Sequence, residues 1–147
     1  MAVEAIIRIK FVSDFGLSAV KIIEMLLDAG WTFNDYGASS YLPLGEKEGF
    51  GWIIQEKITS EILMQILEKK ESECEIVGVV MTWQDTNIGG SFLFRSNDEL
   101  SINLLINRKT IVNKARFEIT DVNWYLFRLL PIFQNDIFVA FFSYREC

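Results

Sequence analysis

Val3-Glu-Ala-Ile-Ile-Arg-Ile-Lys-Phe-Val12 is the stretch on which the fold turns. Val3, Ala5, Ile7, Ile9 and Phe11 fall on one side of an extended chain and Glu4, Arg8 and Lys10 on the other, the period-two pattern of a strand with one dry and one wet face. The period then changes to that of a helix. Ser13 or Asp14 offers a cap, and Leu17, Val20, Ile22, Ile23, Leu26, Leu27 and Ala29 form a broad apolar stripe that stops at Gly30.

Working outward, residues 32–51 are rich in Gly, Ser, Asn and Asp and contain Pro43, which predicts a long loop with at most a short strand around Tyr41 to Leu44. Gly51 to Ile58 resumes as a strand. Thr59 caps a second helix with Ile62, Leu63, Ile66 and Leu67 on its apolar side, and Glu75 to Trp83 is again a strand, with Gly78 leaving room for a close approach or a bulge. Strand, helix, strand, strand, helix, strand is the ferredoxin-like βαββαβ order, here over about residues 3–83.

A β-hairpin extension follows, from Ser91 to Arg95 and from Leu100 to Asn107, whose Leu100, Ile102, Leu104 and Ile106 alternate with polar neighbours. Arg116 to Ile119 reads as a further strand. Thr120 or Asp121 caps a third helix that carries Trp124, Tyr125 and Phe127 in the core and is disrupted at Pro131. Ile137 to Tyr144 closes the chain as an apolar strand buried on both faces. The expectation is one α+β domain over residues 1–147 with a mixed, largely antiparallel sheet.

The 147-residue chain has no histidine, which removes the side chain best suited to proton transfer at neutral pH and the commonest metal ligand. The remaining routes to catalysis are thin. Ser18-Ala-Val-Lys21 has the serine–lysine spacing of certain acyl-transfer enzymes but lacks their companion motifs. Gly49-Phe-Gly51 is no dinucleotide fingerprint and reads as a turn. Cys74 and Cys147 have no visible base, and Glu68, Glu71, Glu73 and Glu75, interleaved with Lys69 and Lys70, read as a solvated helix end. A non-enzymatic protein with no cofactor and no metal is expected.

Half of the residues are hydrophobic and the formal charge is −6, so the mean field repels nucleic acid and anionic membranes and draws in a basic partner. The amino terminus carries Glu4, Arg8 and Lys10 where a signal peptide needs apolar residues, and no run is long enough to span a bilayer. A cytoplasmic monomer or weak homodimer is expected. Aromatic residues gather around the long loop, and Trp31, Tyr36, Tyr41, Glu46, Glu48 and Phe50 are the candidate partner contacts, because rigid rings on a loop bring large area at low entropic cost.

Gly45-Glu-Lys-Glu-Gly49, the strand entry Gly89-Gly-Ser-Phe-Leu-Phe94 and the Asp/Asn-rich turns of this small acidic chain resemble, in type, the immunity proteins of bacterial toxin–immunity systems, including those of contact-dependent growth inhibition. The resemblance implies a one-to-one complex in which acidic groups meet a toxin's basic active site and occlude it. Two other readings stand beside it. One is a small-molecule binder or carboxylate-dependent enzyme with a pocket between sheet and helices; the other is an adaptor that self-associates through Leu100 to Asn107 or the Tyr41 edge.

Overall fold

In the computed structural model, which describes residues 3–12, 18–96, 98–112, 114–133 and 138–147, the expected α+β class is realised as one helical layer on one face of a large antiparallel sheet. The first strand, β1 (Ala5–Val12), keeps its alternation: Ala5, Ile7, Ile9 and Phe11 are buried while Arg8 and Lys10 are exposed. The first helix, α1 (Ala19–Ala29), is capped by Ser18, whose hydroxyl accepts the Lys21 N–H at 2.9 Å. Ser13, Asp14 and Leu17 lie outside the described residues. The Ser18/Lys21 spacing thus coincides with a helix start, with Ser18 bonded to the Lys21 backbone. Gly30 ends the helix at φ 123°, and Trp31, immediately after it, turns into the core.

The long loop expected over residues 32–51 holds more structure than its composition suggested. β2 (Trp31–Phe33) and β3 (Ser39–Tyr41) run in turn down one edge of β5 (Val77–Trp83), with a small excursion between them closed by the Asp35–Ala38 bridge. The strand expected from Gly51 to Ile58 is shorter, β4 (Ile53–Gln55), and pairs with β3. α2 (Ser60–Ser72), with Thr59 as its cap, buries Leu63 and Leu67, whereas Ile62 is exposed.

The hairpin forms as β6 (Gly89–Ser96) and β7 (Glu99–Ile106). A separate two-stranded ribbon, β8 (Thr110–Val112) and β9 (Glu118–Thr120), leads to α3 (Val122–Leu129), which passes at Pro131 into a 3₁₀ turn over Leu130–Phe133. α3 buries Tyr125 but leaves Phe127 76% exposed, so Phe127 does not belong to the core. The last strand, β10 (Phe138–Glu146), is an edge strand paired only with β1, and Phe141 is exposed on it. An edge strand over a one-sided helical layer has no second apolar layer to bury it, which corrects the expectation of burial on both faces.

The eight-stranded sheet runs β10-β1-β7-β6-β5-β3-β4, with β2 also on β5, and every pairing is antiparallel. The ferredoxin-like expectation holds for the order of elements and fails for their neighbours. β1 lies between β7 and β10 instead of beside the later strands of its own βαββαβ segment. The hairpin inserts between them because its Leu100 and Ile102 meet Ile9 and Ile7 in register, which joins two alternating apolar faces into one floor. β7 is consequently interior, and Leu100 to Asn107 cannot serve as a self-association edge. The edge beyond Tyr41 is β4.

α1, α2 and the 3₁₀ turn cover this floor, with Trp31 edge-on to both Trp83 and Phe92 and Phe11 against Phe133. The Trp31 indole donates to the Arg128 carbonyl at 3.0 Å, and the Arg128 guanidinium lies between the rings of Trp124 (4.1 Å) and Trp83 (5.6 Å). No helix among the described residues is long and apolar enough to cross a membrane.

Candidate functional site

Residues 42–52 connect β3 to β4, and their shape is set by a buried lysine. Lys70 of α2 is 0% exposed, and its ammonium donates to the carbonyls of Pro43 and Glu46, both at 2.8 Å, and to Glu75 Oε1 at 3.1 Å. Its three protons are thereby matched to three acceptors, the condition under which an ammonium tolerates a dry site. Glu75 accepts in addition the Gly45 N–H at 2.8 Å, and this backbone bond, followed by the Lys70 bond, holds its carboxyl below the ordinary value. The Glu46 carboxylate turns inward along its own loop to accept the N–H groups of Glu48 and Gly49, which lower its pKa in the same way. The loop is thus tied to Lys70 and Glu75 at Pro43, Gly45 and Glu46, and Glu46 in turn holds Glu48 and Gly49.

Two further glutamates of the α2 terminus differ in role: Glu71 joins α2 to α1, and Glu73 forms an exposed pair at the end of α2. Glu71 accepts the Ala19 N–H at the start of α1 at 2.8 Å, and Glu73 pairs with Lys69 at 3.2 Å. The solvated helix end read from the sequence is in part a junction. Lys70 was missed because it stands within a run of charged residues, yet it follows Leu63 and Leu67 at the helical spacing of the buried stripe, and that phase is the signal that marks it.

The pinned loop sorts the six candidate contacts. Trp31 (1% exposed) and Tyr41 (3%) are core residues; Tyr41 directs its hydroxyl to Gln55 at 2.6 Å, and neither has surface to offer a partner. Glu46 is committed to the loop backbone. Glu48 is exposed, Phe50 is 83% exposed, and Tyr36, at positive φ in the excursion between β2 and β3, is 61% exposed. The structure adds neighbours that the sequence reading did not choose: Ile53 (40%) and Ile54 (69%) on β4, and Leu44 (49%).

Ile53 and Ile54 lie on a sheet edge that is free among the described residues, since β4 pairs with β3 on one side and ends the strand order on the other, and Phe50 shortly precedes it in the chain. A second apolar exposure lies toward the opposite edge. Ile111, Val112 and Ile119 of the β8–β9 ribbon are exposed, as is Phe127 of α3, and the ribbon is tied to β10 through the Thr120 N–H to Glu146 Oε1 bond at 3.0 Å. Among the described residues no group of three or more Cys, Asp or Glu side chains is placed to hold a metal ion, and the two cysteines are exposed and unpaired. Compared with protein-family models, with curated proteins and with solved structures, the chain finds no match, so its site is read from its own residues.

Proposed function

We propose that this chain is a non-enzymatic protein-binding protein that docks its partner on the β4 edge and the loop before it. The observation that carries the reading is the large apolar exposure at Phe50 (83%) and Ile54 (69%), on and just after a loop that Lys70 ties down at Pro43 and Glu46. A phenylalanine left in water forgoes about 2 kcal/mol of burial, which a complex recovers, and a loop already fixed has little entropy left to lose. The free backbone of β4 offers the partner a ladder of hydrogen bonds, with Phe50 and Ile54 as side-chain anchors. Glu48 adds a charged contact at the rim. In the setting that the sequence resemblance implies, the partner is a basic toxin domain whose active site this edge occludes, and the overall charge of −6 would speed their encounter.

The test is recovery of a partner from the native cell on the tagged chain, followed by titration with the purified partner. Phe50→Ala is expected to weaken the complex about thirtyfold, as a central anchor does. Ile54→Lys should weaken it too, whereas Phe127→Ser on the far ribbon side should not, with thermal unfolding unchanged in all three. Equal affinity of Phe50→Ala and the parent chain would reject the β4 edge as the docking site.

A further inference from the structure

The sheet has a second face, and it is largely bare. Above β5, Leu42 and Trp52 of the pinned loop lie over Gly78, where a Cβ would meet both at 2.8 Å. Beyond Trp52, across β6, β7, β1 and β10, no helix among the described residues covers this face of the strands. Register sets the residues out in rows: Gly78, Leu93, Ser101, Arg8 and Ser143 form one, and Val80, Ser91, Asn103, Ile6 and Arg145 the next.

We propose that this face carries a binding site for a small oxyanion with an apolar body, a phosphate monoester or carboxylate seated in the cup lined by Arg8, Arg95, Ser91, Ser101, Asn103 and Trp52. The cup measures about 250 Å³ and is completed by Ile6 and Leu93. Among the described residues neither guanidinium has an ion-pair or hydrogen-bond partner, and the cup contains no carboxylate. Two hydroxyls and an amide supply further donors to an anion held between the arginines. Trp52 is fixed as a wall by its own N–H, which donates to the Gly49 carbonyl at 3.1 Å, and with Ile6 and Leu93 it gives the ligand's body an apolar surface.

The adjoining hollow, about 590 Å³ and lined by Arg8, Lys10, Glu99, Phe141 and Ser143 among others, is the larger space but the poorer anion site. Glu99 stands directly across from Lys10 and offsets its charge. The same arithmetic favours a small ligand over a nucleic acid. A polyanion must lay successive phosphates past the cup onto a molecule of net charge −6, whereas one oxyanion in the cup meets two guanidiniums in a lining without a carboxylate. The cup shares Trp52 with the loop before β4 but includes none of Phe50, Ile53 and Ile54, so its ligand binding can be tested whether or not the β4 edge docks a partner.

Amide and indole nuclear magnetic resonance shifts of the intact chain, titrated with phenyl phosphate, phenylacetate, inorganic phosphate and a short oligothymidylate, test the proposal. Phenyl phosphate or phenylacetate is expected to give saturable shifts at Arg8, Ser91, Ser101, Asn103 and the Trp52 indole, and phenyl phosphate to bind more tightly than inorganic phosphate. Arg8→Gln and Arg95→Gln should each weaken binding about tenfold, and Lys10→Gln should leave it unchanged. Absence of saturable shifts at these residues with both aromatic anions would overturn the site. So would binding that survives the Arg8→Gln/Arg95→Gln double variant, or an oligothymidylate that binds far more tightly than phenyl phosphate and so marks a polymer track.

Discussion

An ammonium removed from water survives only where each of its protons meets an acceptor, and Lys70 satisfies that rule with two carbonyls and one carboxylate. Removing the charge while keeping the stem, as in Lys70→Met, leaves the Glu75 carboxylate and the Pro43 and Glu46 carbonyls without their donor in a dry place. Breaking such a pair costs about 3–5 kcal/mol, so urea unfolding of Lys70→Met should show a loss of that size, with faster amide exchange across residues 44–50. Adding Glu75→Gln to Lys70→Met should restore part of the loss, because a neutral amide is cheaper to leave unpaired than a carboxylate. A loss within experimental error in the single variant would show that the loop holds itself. At this scale Ser18, Thr59 and Asp121 are residues whose capping chemistry lies in their own side chains, and each sits at a helix start; Thr59 and Asp121 were read as caps, Ser18 was not. The distant partners of Lys70 and Glu71, Pro43 and Ala19, were illegible because they stand 27 and 52 residues away in sequence, although the helical phase of Lys70 marks it as buried.

Individual strands are legible because side-chain alternation is a local property; their neighbours are not, because pairing is decided by which faces meet across the molecule. β1 and β7 were each readable from period two, and β6 from the turns that flank it, yet nothing within β1 announces that its neighbours are β7 and β10. Short strands were harder still. β2 and β3 lie in sequence with the composition of a loop and are strands only because the edge of β5 is there to receive them. Glycines record these meetings, and they separate two kinds of close approach. At Gly90 a Cβ would stand 1.9 Å from the Asn103 carbonyl oxygen, backbone that cannot yield without opening the β6–β7 ladder at its irregularity. At Gly78 the obstacles are the ends of the Leu42 and Trp52 side chains. Gly78→Ala should therefore cost about 1–3 kcal/mol and shift the Trp52 indole resonance, while Gly90→Ala should cost more than that or prevent folding. Chemical denaturation of the pair checks the order, and a Gly90→Ala protein as stable as Gly78→Ala would contradict the register given for this hairpin.

The charge of the whole molecule was plain from composition, but its distribution was not. Arg8 and Lys10 share one strand, whereas Arg95 and Arg145 come from distant parts of the chain, so no basic stripe exists until the sheet assembles one. The acidic groups are divided as well, between exposed carboxylates and those that the fold uses as acceptors, and among the latter Glu46, Glu75 and Glu146 set the response to pH. Backbone N–H donors hold Glu46 and Glu75 below their ordinary value of 4.5. Burial raises Glu146, but bonds from Thr120 and Tyr144 outweigh it and its net shift is also downward. For each of the three, the unfolded chain takes up its proton first as pH falls, so their stabilisation is complete above pH 4.5 and is lost as pH drops through the lower folded values. The stability of the protein should accordingly be level from neutrality down to about pH 5 and then decline. Glu75→Gln should be less stable at neutral pH, decline less steeply in acid, and converge on the parent chain at the lowest pH, because protonation removes in one what substitution has removed in the other. Urea midpoints measured across that range decide it: parallel curves for the two proteins would mean that Glu75 is no better held in the folded chain than in the unfolded one, and that the latch on the loop rests on the two carbonyls alone.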